Sequence, residues 1–162
     1  MTFSVILVIN IQRMRNIMGG LAGAIALNVL HEVVRKFIKD APHVHIIGEQ
    51  ALSKSMRELN LEPPTGQTLY FSTLAGDVIA NSVYFSLIGK SKRENLLGTG
   101  LLYGIAGGLG AVLLSKPLGL DDRPVNRTTK TTAMTIGYYA LGGLVAATVI
   151  RELKKKRNHS SI

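Results

Sequence analysis

A carboxylate in the middle of an apolar run is the residue of this sequence with the clearest capacity for chemistry. Asp77 lies near the centre of the segment 69–88, and Asn81 follows it by one helical turn. A charged group at mid-bilayer costs at least about 2.5 kcal/mol on insertion scales, so it should face protein or trapped water. Intramembrane acids often serve a pathway, and this pair could bind a cation or relay a proton.

Further polar residues at similar depth could complete that site. At about 100° per residue, Asp77 and Asn81 share one narrow helical stripe with Tyr70, Thr73 and Tyr84. Four polar residues of the first apolar segment share another face, and tyrosines of the later segments could supply hydroxyl groups. The predicted intramembrane polar site is Asp77, Asn81, Glu32, His31, Asn28, Arg35 and Tyr84, with hydroxyls from Tyr103, Tyr138 and Tyr139.

A purely structural role for Asp77 is the alternative that the sequence leaves open. The acid could pair with Arg35, or accept a hydrogen bond from Asn28 or a tyrosine, and so hold helices together. Polar bonds between membrane helices contribute about 0.6 kcal/mol on average, so such pinning would be modest.

Metal binding and covalent chemistry are not indicated. The spacing of His31, His43 and His45 fixes no third metal ligand, and solvated histidines at the interface are the simpler interpretation. The chain has no cysteine, which removes thiolate sites. It also has no nucleophile elbow, phosphate-binding loop, dinucleotide fingerprint or paired-histidine protease motif. We therefore expect a protein without enzymatic activity, metal or cofactor.

Four apolar segments must position these residues. Each approaches the ~20 residues with which a helix crosses a bilayer core of roughly 30 Å. The fold is expected to be all-α: one polytopic domain over residues 1–162, with four transmembrane helices arranged as two antiparallel helical hairpins. The short basic turn 89–95 predicts that the second and third helices are neighbours. The predicted spans are residues 17–38, 69–88, 96–115 and 133–150.

Polar segments connect and follow these spans. The loop 40–67 should carry one surface amphipathic helix, at 48–61, between the first and second spans. Residues 151–162 should form a solvated basic tail. Each half of the chain also passes through an acidic, proline-containing loop, Asp40–Pro42 and then Asp121–Pro124, which is a faint echo of an internal repeat.

The first residues of the chain are apolar but too short to span a membrane. Residues 2–11 lack the basic start and the small-residue cleavage site of a signal peptide, so we expect an interfacial segment. Translation could also begin at Met14 or Met18.

Glycines four residues apart form packing faces in three of the four spans. Such pairs let helix backbones approach closely. The faces exceed what four short helices need among themselves, so we expect a homo-oligomer or a subunit of a larger membrane complex. The predicted helix-packing residues are Gly19, Gly23, Gly100, Gly104, Gly108, Gly142 and Gly143.

The charge distribution favours a membrane partner over nucleic acid. The formal net charge is +9, and the cations lie mainly at the ends of apolar segments, where anionic lipid headgroups explain them. Cations are almost equally numerous on the two sides of a four-span chain. The dense C-terminal run favours both termini in the cytoplasm, with the chain in a bacterial inner membrane.

The order of the small-residue motifs resembles that of the small four-helix bacterial fluoride channels. The resemblance implies an antiparallel dimer of dual topology. The chain departs from that family at Leu27, where the family has an arginine, at 110–113, where it has a threonine and phenylalanine run, and in its longer loop 40–67. No site residues are therefore transferred. The matching motifs are Gly19-Gly20-x-x-Gly23-Ala24, Asn81 within GDVIANSVYFSLIG, and Gly104-x-x-Gly107-Gly108-Leu109.

Three classes of function follow from these observations. The leading expectation is a small integral membrane protein with a structural or assembly role. The alternative is a small ion channel or proton-linked transporter that uses Asp77, Asn81 and Glu32. A membrane enzyme or metal-dependent protein built on the histidines is the third, and it would require bound metal or haem.

Overall fold

The chain is helical throughout the part that the structure describes. A computed structural model describes residues 2–159, and it describes the side chains of residues 10–155. The chain is 81% helical and has no strand within that range, so the all-α prediction is confirmed. Two 3₁₀ turns, Leu87–Lys90 and Arg93–Asn95, join α3 to α4. The helices are α1 (Thr2–Val34), α2 (Val44–Glu58), α3 (Gly66–Ser86), α4 (Leu96–Leu113), α5 (Arg123–Asn126) and α6 (Thr129–His159).

Four of these helices are long and apolar enough to cross a membrane. Only 22% to 39% of the most apolar window of each is buried inside the chain. Large apolar side chains such as Ile17, Phe71 and Leu102 therefore point outward. Exposed apolar faces of this extent are costly in water and suit a bilayer, so the four helices indicate a multi-pass membrane protein. They are Asn10–Val34, Gly66–Lys90, Arg93–Leu114 and Thr129–Lys155.

Helix α1 begins well before the predicted span. Arg13 and Arg15 interrupt the apolar run, but the helix continues through both of them. Arginine is a good helix former, and its long side chain can extend to water, so two arginines do not end a helix. The predicted interfacial segment 2–11 is continuous with α1, and its side chains up to residue 9 lie outside the described residues. The predicted basic tail is likewise helical to His159, and residues 160–162 lie outside the described part.

The surface helix also begins earlier than predicted, by about one turn. Helix α2 starts at Val44 and ends at Glu58. Asn60 then adopts a φ of 58°, and the Leu61 N–H donates to the Met56 carbonyl at 2.9 Å. This left-handed residue with its backbone bond is a common helix ending, and asparagine tolerates the conformation better than most residues.

Helix α6 is the central helix of the bundle. It packs against α1 on one side and α4 on the other, and α1 packs in turn against α3. The helices of each pair run antiparallel: Gly19 lies opposite Ile150, whereas His31, near the other end of α1, lies opposite Tyr138. Helices α3 and α4 touch only over a short stretch around Tyr84, because the glycine face of α4 is turned to α6. The expectation that they are close neighbours therefore holds only there.

Glycine brings the backbone of α6 into contact with both of its neighbours. A Cβ atom at Gly104 would lie 2.5 Å from the Cα atom of Ala140, and one at Gly100 would lie 2.6 Å from the carbonyl oxygen of Gly143. Helix α1 approaches α6 in the same way at Gly23. All the predicted helix-packing glycines contact another helix of the same chain. The argument that they exceed the needs of one chain does not hold.

The two ends of the bundle are built differently. One end, which we call the α2 side, carries α2, α5 and the loops next to them. There the two acidic, proline-containing loops interlock: the His43 N–H donates to the Pro124 carbonyl at 2.8 Å, and the Arg127 side chain donates to the Ala41 carbonyl at 3.0 Å. The other end, the turn side, carries the turn 87–95 between α3 and α4.

Large apolar side chains fill the bundle toward the turn side. Phe85, Ile88, Leu96 and Ile150 are each 0% exposed, and Leu27 is 2% exposed. They come from four helices and the first 3₁₀ turn, and they belong to one buried cluster. In a bilayer, close van der Waals packing of such side chains stabilises the bundle, because leaving lipid brings no hydrophobic gain. We call these five residues the apolar plug.

Substituting a glycine at the α4–α6 contact tests this packing. Gly104→Ala should lower the melting temperature in detergent by several degrees, because its Cβ atom meets the backbone of α6 and overpacking typically costs about 1–3 kcal/mol. Gly98→Ala on the same helix is the matched control, since no described atom lies within 4 Å of its Cβ position. Equal melting temperatures for the two variants would contradict the packing.

Candidate functional site

Helix α3 turns its predicted polar stripe toward the interior. Thr73 and Asn81 are buried and Asp77 is half-buried, whereas Ile79 and Val83 on the opposite face are exposed. This division of apolar and polar faces fixes the rotation of α3, because the apolar face suits lipid and the stripe does not. We call the inward polar side chains the polar column: His31, Thr73, Asp77, Asn81, Tyr84 and Tyr139.

Tyr139 of α6 meets Asp77 and Asn81 across the interior. Tyr139 is buried, and its side chain lies near those of Asn81 and Asp77. A Cβ atom at Gly107 of α4 would lie 3.1 Å from the ring of Tyr139 and 3.1 Å from that of Tyr84. Glycine at this position therefore leaves room for both rings.

The polar column ends at Tyr84, next to the apolar plug. The Tyr84 hydroxyl donates to the backbone carbonyl of Tyr103 at 2.9 Å and so ties α3 to α4. The two rings lie 5.5 Å apart. Phe85, the next residue of α3, already belongs to the plug. Polar and apolar layers thus meet within one residue of the sequence.

His31 occupies the α1 face of the polar column. Its Nδ1 lies 3.0 Å from the Leu27 carbonyl, and since a carbonyl can only accept, Nδ1 carries the proton. In the neutral ring Nε2 is then a free acceptor. The ring packs edge-on against Tyr138 and Tyr139, with centroids 5.1 Å and 6.0 Å away.

Two buried polar atoms of the column have no hydrogen-bond partner among the described residues. They are Nε2 of His31, which is 7% exposed, and Oγ1 of Thr73, which is 6% exposed. An unsatisfied buried donor or acceptor costs about 1–3 kcal/mol. Proteins usually satisfy such atoms with ordered water or an ion. The column therefore has the chemistry of a hydrated or ion-binding interior.

The partners proposed for Asp77 bond elsewhere. Arg35, the residue after the end of α1, donates to Glu32 in the last turn of that helix, with Nε 3.0 Å from the carboxylate oxygen. The Asn28 amide donates to the Ala24 carbonyl at 3.0 Å, and Asn28 lines an apolar groove between α1 and α3. No hydrogen bond or salt bridge to Asp77 is formed by any described side chain at bonding distance. Tyr139 is the tyrosine that approaches it.

A second polar group lies at the α2 side, next to the column, where Gly48 of α2 packs against Thr73. Tyr70 adjoins the Glu32–Arg35 pair, and the His45 ring lies 5.8 Å from the ring of Tyr70. The hydrogen bond to Glu32 raises the pKa of Arg35. Burial, followed by the charge of Arg35, lowers the pKa of His45. The structure thus divides the predicted site in two. Glu32 and Arg35 lie at the α2 side, in a group with Tyr70 and His45 that we call the mouth. Asp77, Asn81 and Tyr84 lie deeper in the bundle.

The described residues show no arrangement of side chains that is suited to binding a metal ion. They contain no group of three or more His, Cys, Asp or Glu side chains placed to hold a metal ion. His43 and His45 lie with ring centroids 5.7 Å apart at the start of α2, and His31 faces α6 instead.

His45 is the residue near the site that sequence reasoning did not include. The sequence predicts a loop at His45 because the predicted surface helix begins at residue 48, whereas α2 begins at Val44. The signal that could have found it is Pro42, because proline often stands just before or at the first turn of a helix.

Comparison with known proteins identifies no relative. The chain matches no protein-family model, and no curated protein or solved structure is significantly similar to it. The resemblance to fluoride channels stays a prediction.

Lowering the pH should destabilise the fold at the α2 side, because His45 there becomes protonated. Since burial lowers its pKa below the ordinary value of about 6.5, the unfolded chain binds more protons just below that pH. The contribution of His45 to the free energy of unfolding should be fully present above about pH 7. It should be lost as the pH drops through 6.5 toward the folded-state pKa of this residue. We expect melting temperatures in detergent to fall between about pH 7.5 and pH 5, and to fall less for His45→Gln. The same fall in His45→Gln would contradict a role for this residue.

Proposed function

We propose that this chain is a multi-pass membrane protein whose polar column takes up a small cation or a proton. Helices α1 and α3 form one antiparallel hairpin, α4 and α6 form the other, and α2 lies at the membrane surface. Both termini lie in the cytoplasm, and the membrane is a bacterial inner membrane. The protein makes or breaks no covalent bond and needs no cofactor in this proposal.

The unpartnered Nε2 of His31 carries the proposal. A buried acceptor at this depth is stabilised only by a donor that is not a described side chain, and water, hydronium or a cation can each supply one. Asp77 adds a carboxylate that pairs with neither Arg35 nor Asn28. A structural pin would instead be expected to bond with a neighbouring helix, as Tyr84 does with the Tyr103 carbonyl.

The local hydrogen bonds of other polar residues sharpen this contrast. Ser82, Ser115 and Thr148 donate to carbonyls of their own helices, at 2.5 to 2.8 Å. Such bonds satisfy a polar group in lipid without any partner. Nε2 of His31 and Oγ1 of Thr73 have no such partner among the described residues, which supports a role beyond packing.

Proton or cation flux into proteoliposomes tests the proposal. Asp77→Asn keeps the size of the side chain but removes its charge, so it should abolish most of the flux that the unmodified chain supports. Glu58→Gln, at the exposed end of α2, is the matched control and should leave flux unchanged. Flux that is absent for protons and a panel of small cations, or that Asp77→Asn does not reduce, would falsify the proposal.

Assembly into a homo-oligomer or a larger membrane complex is a second proposal. The outward face of α3 is the surface that favours it, because Ser72, Gly76 and Ala80 are exposed there and no described atom lies within 4 Å of a Cβ at Gly76. Small residues spaced by four let a second helix approach closely.

Native mass spectrometry from lipid nanodiscs can decide on assembly. We expect a dimer or higher oligomer for the unmodified chain and a shift toward monomer for Gly76→Leu, whose side chain would hold a second helix away. Gly98→Leu on α4 serves as the control of equal size. A purely monomeric unmodified chain would count against assembly.

A further inference from the structure

We infer that the polar column exchanges protons with the α2 side of the membrane only, by way of His45 and His31, and that the apolar plug closes it toward the turn side. This inference rests on the proposed function and adds to it the species that is bound and the side from which it arrives. Three features carry it: the mouth at the α2 side, the unpartnered atoms inside, and the plug.

The mouth contains a short series of groups that can both give and take a proton. His45 is half-buried at the start of α2, and its ring packs edge-on against that of Tyr70. His31 lies one step deeper and is buried. Imidazole changes protonation near neutral pH and serves as a shuttle in many proteins.

The groups around His31 come from every helix that packs near it. At the end of its own helix these are Glu32 and Arg35, which neutralise each other. The remaining titratable groups are imidazoles, phenols and one carboxyl group, that of Asp77. The list is His43 and His45 from α2, Tyr70 and Asp77 from α3, and Tyr138 and Tyr139 from α6.

A proton can cross this space without any other reactant. It binds Nε2 of His31, whose Nδ1–H stays on the Leu27 carbonyl, and the ring becomes a cation. A proton then leaves Nε2 for the Asp77 carboxylate, either through water or by relay through the Tyr139 hydroxyl, which accepts one proton and releases its own. The products are a neutral imidazole and a carboxylic acid, so both charge and atoms balance.

The donor set favours a proton over a metal cation. The column offers a single carboxylate, whereas Ca²⁺ takes about six to eight oxygen ligands, usually with several carboxylates among them. Imidazole and phenol groups, in contrast, both donate and accept hydrogen bonds. A chain of such groups suits proton transfer.

Beyond Tyr84 the apolar plug lies between the column and the polar groups of the turn side, which include the buried Oδ1 of Asn16 and the hydroxyl pair of Ser91 and Thr99. The plug side chains from all four long helices meet there, and close-packed apolar side chains leave no room for water. Ser82 and Ser86, which flank this layer, donate to carbonyls of their own helix, those of Val78 and Val83. A proton on Asp77 therefore has its exit at the α2 side.

The accessibility of introduced cysteines tests from which side of the membrane the column is reached. The chain has no native cysteine, so only the introduced residue can be labelled. In oriented vesicles, a charged, impermeant thiol reagent should label Thr73→Cys only from the side that labels Ser55→Cys of α2. It should label Leu96→Cys from neither side. Asn95→Cys marks the turn side. Labelling of Thr73→Cys from the turn side or from neither side, or ready labelling of Leu96→Cys, would overturn the inference.

Carbodiimide labelling tests whether the exchanged species is a proton. Hydrophobic carbodiimides react with protonated buried carboxyl groups, and intact-mass measurement counts the adduct. With different pH inside and outside the vesicles, labelling of Asp77 should follow the pH on the α2 side, and His31→Gln should slow its response. Asp77→Asn is the blank. Labelling that follows the turn-side pH, or neither pH, would overturn the inference.

These measurements separate this inference from the proposed function. One-sided labelling with no flux would reject transport, yet it would leave a proton site that opens to one side. Flux that depends on Asp77, together with labelling from both sides, would reject the closed plug and leave the transport proposal standing.

Discussion

The close backbone approach of α6 to both α1 and α4 is the constraint on which the rest of this structure depends. At Gly100, Gly104 and Gly23 there is no room for a Cβ atom, so the helices meet along their main chains. This contact fixes the register of α6, and the register sets Tyr139 at the level of Asp77 and Asn81. The depth and composition of the polar column follow from glycine packing rather than from polar attraction.

The polar residues of the membrane-spanning helices fall into two kinds. Asn28, Ser82 and Thr148 bond to carbonyls of their own helices and could face lipid or protein alike. His31 and Thr73 face inward with atoms that no described group satisfies. In hydrocarbon the first arrangement is self-sufficient, whereas the second requires water or an ion, and this difference separates packing residues from candidate functional ones.

Much of the architecture could be predicted from the sequence, because span length and glycine spacing are local properties of the chain. The inward orientation of the polar stripe of α3 could also be predicted, because exposing a carboxylate to lipid costs free energy. The partners of that carboxylate could not be predicted. Arg35 lies near enough to Glu32 to bond there, and only the relative rotation of α1 and α3 decides between Glu32 and Asp77. The start of α1 differs from the prediction because two arginines do not end a helix, and the start of α2 differs because the prediction does not use Pro42 as a start signal.

The position of α6 in the chain has a consequence for how the protein is made. Helices α1 and α4 touch each other little, and the surface that each turns inward is matched by α6, which is synthesised after both. A nascent chain that has released α1, α3 and α4 but not yet α6 therefore presents two bare glycine ridges to the lipid. Until α6 has been inserted, these ridges are open to chaperones and to membrane proteases.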